Sequence, residues 1–303
     1  MRRRPALGNG IKGRSLPLSR RRFLASGLSM AAASALPSPA LSQRVPPIQF
    51  GLTPVFLTSD LDLLSDLTAY LKSALKRDVQ LVTRRTYQEI TTLLLTGQLD
   101  LAWICGYPYV QYRAQLDVLA VPVWRGQPLY SAYVIVEATR EAGSIDDLAG
   151  DIHAFSDPDS NSGYLVTRGL LAQKGTSPEA FFRQSFYTYG HRNVVRAVAA
   201  GLAQSGSVDG YVWEVLQEVE PELTKKTRVV RNSELLGFPP IASRKARAGS
   251  RASTDLTQAF LDMARDEGGR RVLSALRLDG FTQGDPSLYD GIAAKVEDIR
   301  RAG

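Results

Sequence analysis

Residues 157–164, with the sequence Asp-Pro-Asp-Ser-Asn-Ser-Gly-Tyr, place two hydroxyl side chains and a glycine between a strand-like run and a helix-like run. The first N–H groups of a helix have no intrahelical partner, and the helix dipole adds partial positive charge there. Ser160 and Ser162 can donate hydrogen bonds without formal charge, and Gly163 lets a ligand oxygen approach the backbone. The segment therefore fits an anion site, but it equally fits an ordinary N-cap, in which a serine accepts from a free N–H.

The first 42 residues have the layout of an export signal. Residues 19–24 (Ser-Arg-Arg-Arg-Phe-Leu) fit the twin-arginine pattern, a weakly apolar stretch follows, and residues 40–42 (Ala-Leu-Ser) offer a small-residue cleavage site. Residues 1–42 hold eight of the 37 basic residues and none of the 30 acidic ones, so the net charge of +7 becomes −1 in the remainder. The basic charge therefore gives no reason to expect nucleic-acid binding. We expect a soluble periplasmic protein; the alternative is a disordered basic tail.

The chain offers few residues for metal or covalent chemistry. It has one cysteine, Cys105, and two histidines, His153 and His191, which form no recognisable metal spacing. No dinucleotide fingerprint, P-loop or His-Glu-x-x-His motif is present. We therefore expect no metal and no cofactor. A nucleophile pair of Cys105 and His191 would need a shared cleft and a third, orienting group, so we do not expect an enzyme.

Short apolar runs alternate with helical patterns over the rest of the chain, which predicts α/β architecture with mainly parallel sheets. The predicted strands are 48–52, 79–82, 99–104, 118–123, 131–136, 152–155, 186–189, 208–212 and 227–230; the predicted helices are 61–75, 87–95, 165–171 and 191–202, with 254–300 helical except for breaks near Gly280 and Pro286. The alternation of strands and helices falls into two successive series. These predict two lobes, one of residues 43–137 plus 238–303 and one of residues 138–237. Ligands of such sheets bind beyond the carboxyl ends of the strands, which here is the cleft between the lobes.

A series of short segments occurs in the order found in a known family. The segments are 51–54 (Gly-Leu-Thr-Pro), 86–87 (Thr-Tyr), 97–103 (Gly-Gln-Leu-Asp-Leu-Ala-Trp), 106–109 (Gly-Tyr-Pro-Tyr), 157–164, 190–191 (Gly-His), 197–201, 208–211 (Val-Asp-Gly-Tyr) and 238–240 (Phe-Pro-Pro). In this order the chain resembles the periplasmic substrate-binding proteins of phosphate, phosphite and phosphonate ABC transporters. The resemblance implies a type II periplasmic binding protein fold, in which two α/β lobes close on a ligand by a hinge. It also implies a monomeric receptor that delivers a small oxyanion to an ABC permease.

The resemblance implies a site built from both lobes. Ser160, Ser162 and Gly163 match the serine-rich helix start that holds the oxyanion, whereas Asn161 stands where the family commonly has a second small hydroxyl residue. His191 matches a histidine that helps to bind the oxyanion. A capping or surface role is the alternative for His191.

Three tyrosines and an aspartate complete the implied site. Tyr107 and Tyr109 follow the end of a first-lobe strand, where the ring can close a cavity and the hydroxyl can donate, unless they only pack in the core. Tyr87 matches a tyrosine at a helix start. Asp209 lies near positions that contact the organic end of aminated phosphonates, or it caps its own turn. For His153 we expect a structural role.

Cys105 ends a first-lobe strand directly before Gly106, where the family faces its cleft. A thiol is a poor hydrogen-bond donor but a good ligand for thiophilic species. One branch of the family resembles this arrangement more closely: periplasmic arsenite-binding sensors, which carry the ligand on a cleft cysteine and signal to a membrane histidine kinase. The alternatives are thus a buried structural thiol in a transport receptor, or a ligand-contacting thiol in a sensor.

Overall fold

The computed structural model describes residues 46–54 and 61–302. The predicted export signal at residues 1–42 lies outside the described residues, as do residues 55–60. No helix in the described ranges is long and apolar enough to cross a membrane.

The described chain alternates strands and helices. The strands are β1 (Ile48–Leu52), β2 (Val79–Thr83), β3 (Leu101–Trp103), β4 (Leu116–Val123), β5 (Leu129–Tyr130), β6 (Ala132–Glu137), β7 (Ile152–Phe155), β8 (Gln184–Tyr187), β9 (Ser205–Asp209), β10 (Thr227–Asn232), β11 (Leu236–Gly237), β12 (Ile241–Arg244) and β13 (Gly280–Gln283). The α-helices are α1 (Leu61–Leu75), α2 (Tyr87–Leu95), α3 (Gly106–Gln111), α4 (Val166–Gln173), α5 (Pro178–Phe181), α6 (His191–Ala199), α7 (Gly210–Val219), α8 (Pro221–Thr224), α9 (Arg251–Leu261), α10 (Glu267–Leu276) and α11 (Asp290–Ala302). A π-helical turn, Asn161–Leu165, leads directly into α4.

A six-stranded sheet in the order β13-β4-β12-β3-β1-β2 organises the first lobe. β1 runs parallel to β2 and β3, whereas β12 is antiparallel to β3 and β4. Aromatic rings hold the C-terminal part of the chain to this sheet: Phe260 meets Phe50 at 5.8 Å and Phe281 at 5.0 Å between ring centroids. This sheet is therefore made of two separate stretches of chain, because β12 and β13 return to strands that begin at Ile48.

A five-stranded sheet in the order β10-β6-β9-β7-β8 organises the second lobe, and the short strands β5 and β11 pair with each other. β7 is parallel to β8 and β9, whereas β6 is antiparallel to β9 and β10. Residues 132–137, which the sequence-based division assigned to the first lobe, thus form β6 in this second sheet. We propose that the chain crosses between the lobes at β5 and β11.

Two predicted elements differ in detail from the structure. The break expected near Gly280 in the helical stretch 254–300 is a strand, β13, which pairs with β4 from Gly280 to Gln283. The strand predicted at 208–212 is instead β9, which ends at Asp209, because the carboxylate of Asp209 accepts the N–H of Val212 at 3.2 Å and begins α7. The apolar run there continues from a buried strand into a buried helix, so its periodicity does not mark the boundary.

Candidate functional site

The Ser160–Gly163 segment combines both of its possible uses. Ser160 is the N-cap of the π-helical turn, since its Oγ accepts the N–H of Gly163 at 3.0 Å. Gly163 packs so closely that an added Cβ would lie 1.8 Å from Oγ of Ser156. The side chains of Asn161 and Ser162 remain for other contacts, and both residues are buried. Ser160 therefore acts as an N-cap. The side chains of Asn161 and Ser162 belong to a polar cluster between the lobes.

Tyr87, at the start of α2 in the first lobe, contacts the second lobe twice. Its Oη lies 3.2 Å from Nε2 of His191, and its backbone N–H donates to the carboxylate of Asp157 at 3.3 Å. Burial lowers the pKa of His191 to about 3, so the ring is neutral at physiological pH. Nδ1 of His191 accepts the N–H of Asp209 at 3.0 Å, so Nε2 carries the hydrogen and donates it to Tyr87. The O–H of Tyr87 is thereby not used in its contact with His191.

Asn161 makes the second set of contacts between the lobes. Its backbone N–H donates to Sγ of Cys105 at 3.2 Å, and its side-chain Nδ2 donates to Oη of Tyr130 at 2.8 Å. Its remaining amide atom, Oδ1, is buried and has no hydrogen-bond partner within the described residues. Cys105 and Tyr130 have essentially no exposed surface. The first N–H of the turn is thus covered by a first-lobe thiol, which places Cys105 at the point where the sequence predicted an oxyanion.

Asp209 closes the cluster on the side of the second sheet. One of its carboxylate oxygens caps α7, and the other accepts the hydroxyl of Ser162 at 3.3 Å. Burial raises the pKa of Asp209 to about 7, because the carboxylate is removed from water and only neutral donors compensate it.

The electrostatic character of the cluster comes from burial. Burial raises the pKa of the Cys105 thiol to about 12, so the thiolate needed by a nucleophile is disfavoured. Within the described residues, no arginine or lysine side chain shifts the pKa of any of four cluster residues: Tyr87, Tyr130, Cys105 and Asp209. No group of three or more His, Cys, Asp or Glu in this part of the chain could hold a metal ion. The donors of the cluster are neutral groups, and it also contains the buried carboxylates of Asp157 and Asp209.

The family model described as ABC transporter, phosphonate, periplasmic substrate-binding protein matches residues 50–289. The chain belongs to this family. The match includes every residue of the polar cluster, and it places the chain among transport receptors of the periplasm.

Solved structures of phosphonate-binding proteins share the two-lobe fold. A binding protein component of an ABC phosphonate transporter from Pseudomonas aeruginosa is similar with a TM-score of 0.77 and 20% identity, over 85% of this chain and 87% of that one. PhnD1 from Prochlorococcus marinus, solved in complex with methylphosphonate, has a TM-score of 0.75 and 19% identity, over 84% of this chain and 98% of that one. A Xanthomonas citri protein bound to chloride ion has a TM-score of 0.67 and 17% identity, over 84% and 98% of the two chains. At these identities the likeness establishes a periplasmic binding protein fold with two lobes.

The two tyrosines of α3 lie in different surroundings. Tyr107 is half-buried, and burial raises the pKa of its hydroxyl, with smaller opposing effects of Asp159 and Arg168 from the second lobe. Tyr109 is buried with its ring 4.7 Å from that of Tyr289. The structure therefore brings Tyr107 towards the cluster but places Tyr109 in the first-lobe core, and we leave Tyr109 out of the proposed site.

Sequence reasoning missed two members of the cluster. Tyr130 lies on the two-residue strand β5, where no motif or periodicity marks it. Asp157 was read only as part of the helix-start segment, yet it receives the backbone N–H of Tyr87 from the other lobe. Its position in an Asp-Pro step directly after β7 was the available indication, because the end of that strand faces the cleft.

Acidification should destabilise the protein through its two buried histidines. His153 is enclosed by the hydroxyls of Ser205 and Ser207, each at 2.8 Å, which supports the expected structural role, and burial lowers its pKa to about 3, as for His191. The unfolded chain binds these protons below about pH 6.5 while the folded protein does not, so stability is lost as the pH falls. Asp209 acts in the opposite direction, because its raised pKa makes the folded state the stronger proton binder between about pH 4 and pH 7.

The contribution of one histidine is measurable with His153→Asn, which lies outside the cluster. Urea unfolding of the wild type and the variant at about pH 7 and about pH 5 should show a pH-dependent loss smaller by about 2 kcal/mol in the variant. Any constant loss from repacking cancels in this difference. An equal pH dependence in both proteins would mean that His153 is not held neutral.

Proposed function

We propose that this protein is an exported receptor that captures a small oxyanion of the phosphonate, phosphite or phosphate type between its lobes and delivers it to an ABC permease. Family membership supports the transport role, and the twin-arginine pattern of residues 19–24 supports export to the periplasm by that route. We further propose that it acts as a monomer. The observation that carries the proposal is the buried polar cluster, in which donors of both lobes converge.

The contacts of this cluster explain how capture would close the receptor. Tyr87 and Cys105 come from the first lobe, and His191, Asn161 and Asp157 come from the second, so their hydrogen bonds exist only when the lobes meet. A ligand that adds hydrogen bonds to both lobes shifts the population towards this closed form. The closed form would then be what the permease recognises.

In the proposed site the ligand is held by neutral groups. The O–H of Tyr87 supplies a donor, and the start of the π-helical turn adds partial positive charge. Hydrogen bonds to a charged oxygen are stronger than neutral ones, particularly away from water. Such a site suits a compact oxyanion, because fixed donors can surround its oxygens without any counter-ion.

Calorimetric titration of the chain from Gln43 onward tests the proposal. The ligands are phosphate, phosphite, methylphosphonate, 2-aminoethylphosphonate and arsenite, with Cys105→Ser measured in parallel. We expect binding of a phosphonate or phosphite that survives the substitution with less than about a tenfold change, since serine can also accept the N–H of Asn161.

Other outcomes of this titration would overturn the proposal. Arsenite binding that disappears in Cys105→Ser would instead assign the protein to the sensor role, with a histidine kinase as its partner. If none of these ligands bound, family membership would predict the fold but not the substrate.

A further inference from the structure

The amide of Asn161 leaves one buried acceptor without a donor. Asn161 has no exposed surface, its N–H and Nδ2 are both bonded, and Oδ1 has no partner within the described residues. An unpaired carbonyl oxygen in a buried position is unfavourable, and native structures rarely keep one unless something else supplies the missing donor. The position of Asn161, between the lobes at the start of the turn, is where a ligand would supply it.

The hydrogen bonds around Asn161 determine which of its amide atoms is unpaired. Nδ2 of Asn161 lies 2.8 Å from Oη of Tyr130 and donates to it, since a tyrosine hydroxyl can accept a hydrogen bond. The backbone N–H of Asn161 donates to Sγ of Cys105. Oδ1 is therefore the atom of the amide that is left over.

The cluster thus presents both a donor and an acceptor to whatever lies between the lobes. The O–H of Tyr87 is free to donate because its oxygen already accepts from His191, whereas Oδ1 of Asn161 requires a donor. A fully deprotonated oxyanion satisfies only the first. An oxyacid that keeps one hydroxyl satisfies both.

We propose that Asn161 makes this receptor select oxyacids that retain a hydroxyl group over tetrahedral anions that have none. The inference rests on the proposed function and specifies the ligand class of that same cleft. Sulfonates and sulfate, which carry no hydroxyl near neutral pH, would place an oxygen lone pair against Oδ1 and leave it unpaired. A phosphonate or phosphite monoanion would instead donate its own proton to Oδ1.

Methylphosphonate and methanesulfonate provide a matched pair of probes. In mildly acidic buffer both are tetrahedral monoanions with one methyl group, and only the phosphonate has a hydroxyl. Calorimetry should give at least about tenfold tighter binding of methylphosphonate, because the sulfonate leaves a buried polar group unpaired. Since shape and charge are equal, the ratio isolates the hydroxyl.

Asn161→Thr tests whether the amide is responsible. A threonine hydroxyl can donate as well as accept, so we expect the affinity ratio of the two probes to fall to within about threefold. Asn161→Ser repeats the test without the additional methyl group, in case the threonine variant does not fold. Ser243→Ala is the matched control: Ser243 on β12 also has a buried, unpaired side-chain oxygen, but it lies towards the opposite end of the first sheet, and the ratio should not change.

The outcomes separate this inference from the proposed function. Equal binding of the two probes by the wild type would overturn the inference and leave the receptor role intact. A high ratio that persists in both Asn161 variants would overturn the assignment to Asn161. Failure to bind methylphosphonate or any other oxyanion would overturn the proposed function itself, and the inference with it.

Discussion

Replacing Gly163 by alanine should abolish ligand binding and lower the free energy of unfolding by about 1–3 kcal/mol. The new Cβ would lie 1.8 Å from Oγ and 2.6 Å from Cβ of Ser156, and 3.0 Å from Cε1 of His191. Neither the end of β7 nor the turn can accept such contacts in place, because the N–H of Ser156 donates to the carbonyl of Gly163 at 3.1 Å. The turn would have to move, and it would carry Ser162 out of position.

Two further variants make this result specific. Gly169→Ala adds the same methyl group within α4, where its nearest neighbour would be Cβ of Lys295 at 3.5 Å, so binding should be retained. The double variant Ser156→Gly with Gly163→Ala removes both atoms of the worst collision and should recover part of the affinity. Titration with the ligand identified for the wild type, together with thermal unfolding, measures both effects. Wild-type affinity in Gly163→Ala would show that the turn does not form part of the site.

The local pattern of the sequence was sufficient to identify the segments that form the cluster. A hydroxyl-rich helix start, a tyrosine at the start of α2 and a histidine at the start of α6 are each visible in a few adjacent residues. The sequence did not show which residue would cap the turn and which would contact the other lobe. Ser160 became the cap and Asn161 faced the other lobe, because the π-helical turn, rather than a regular α-helical start, sets the direction of each side chain.

What could not be predicted depends on contacts between distant parts of the chain. Tyr130 is placed by the pairing of β5 with β11, more than 100 residues later, and neither two-residue strand has a period to detect. The unpaired oxygen of Asn161 follows from two contacts with distant parts of the chain, its N–H to Sγ of Cys105 and its Nδ2 to Oη of Tyr130. These contacts exist only after both lobes have folded and met, so no single segment contains the information.

Tyr87→Phe should weaken methylphosphonate binding by about 10- to 100-fold, the loss expected for one buried hydrogen bond to a charged oxygen. The substitution also leaves the Nε2–H of His191 without its acceptor, which adds a moderate loss of stability. Tyr70→Phe is the matched control, since the hydroxyl of Tyr70 donates to the carbonyl of Ala259 within the first lobe, away from the cleft. That variant should lose stability and keep its affinity. Calorimetry and thermal unfolding of both variants separate the two effects.

The argument for Tyr87 depends on the tautomer of His191, which can be observed directly. Because the chain has only two histidines, nitrogen NMR of labelled protein can assign the ring of His191 after comparison with His153→Asn. We expect the hydrogen on Nε2, since Nδ1 accepts the N–H of Asp209. If the hydrogen were on Nδ1 instead, Tyr87 would donate to His191 and would have no proton for a ligand. In that case the affinity of Tyr87→Phe would equal that of the wild type, and the helix start alone would hold the anion.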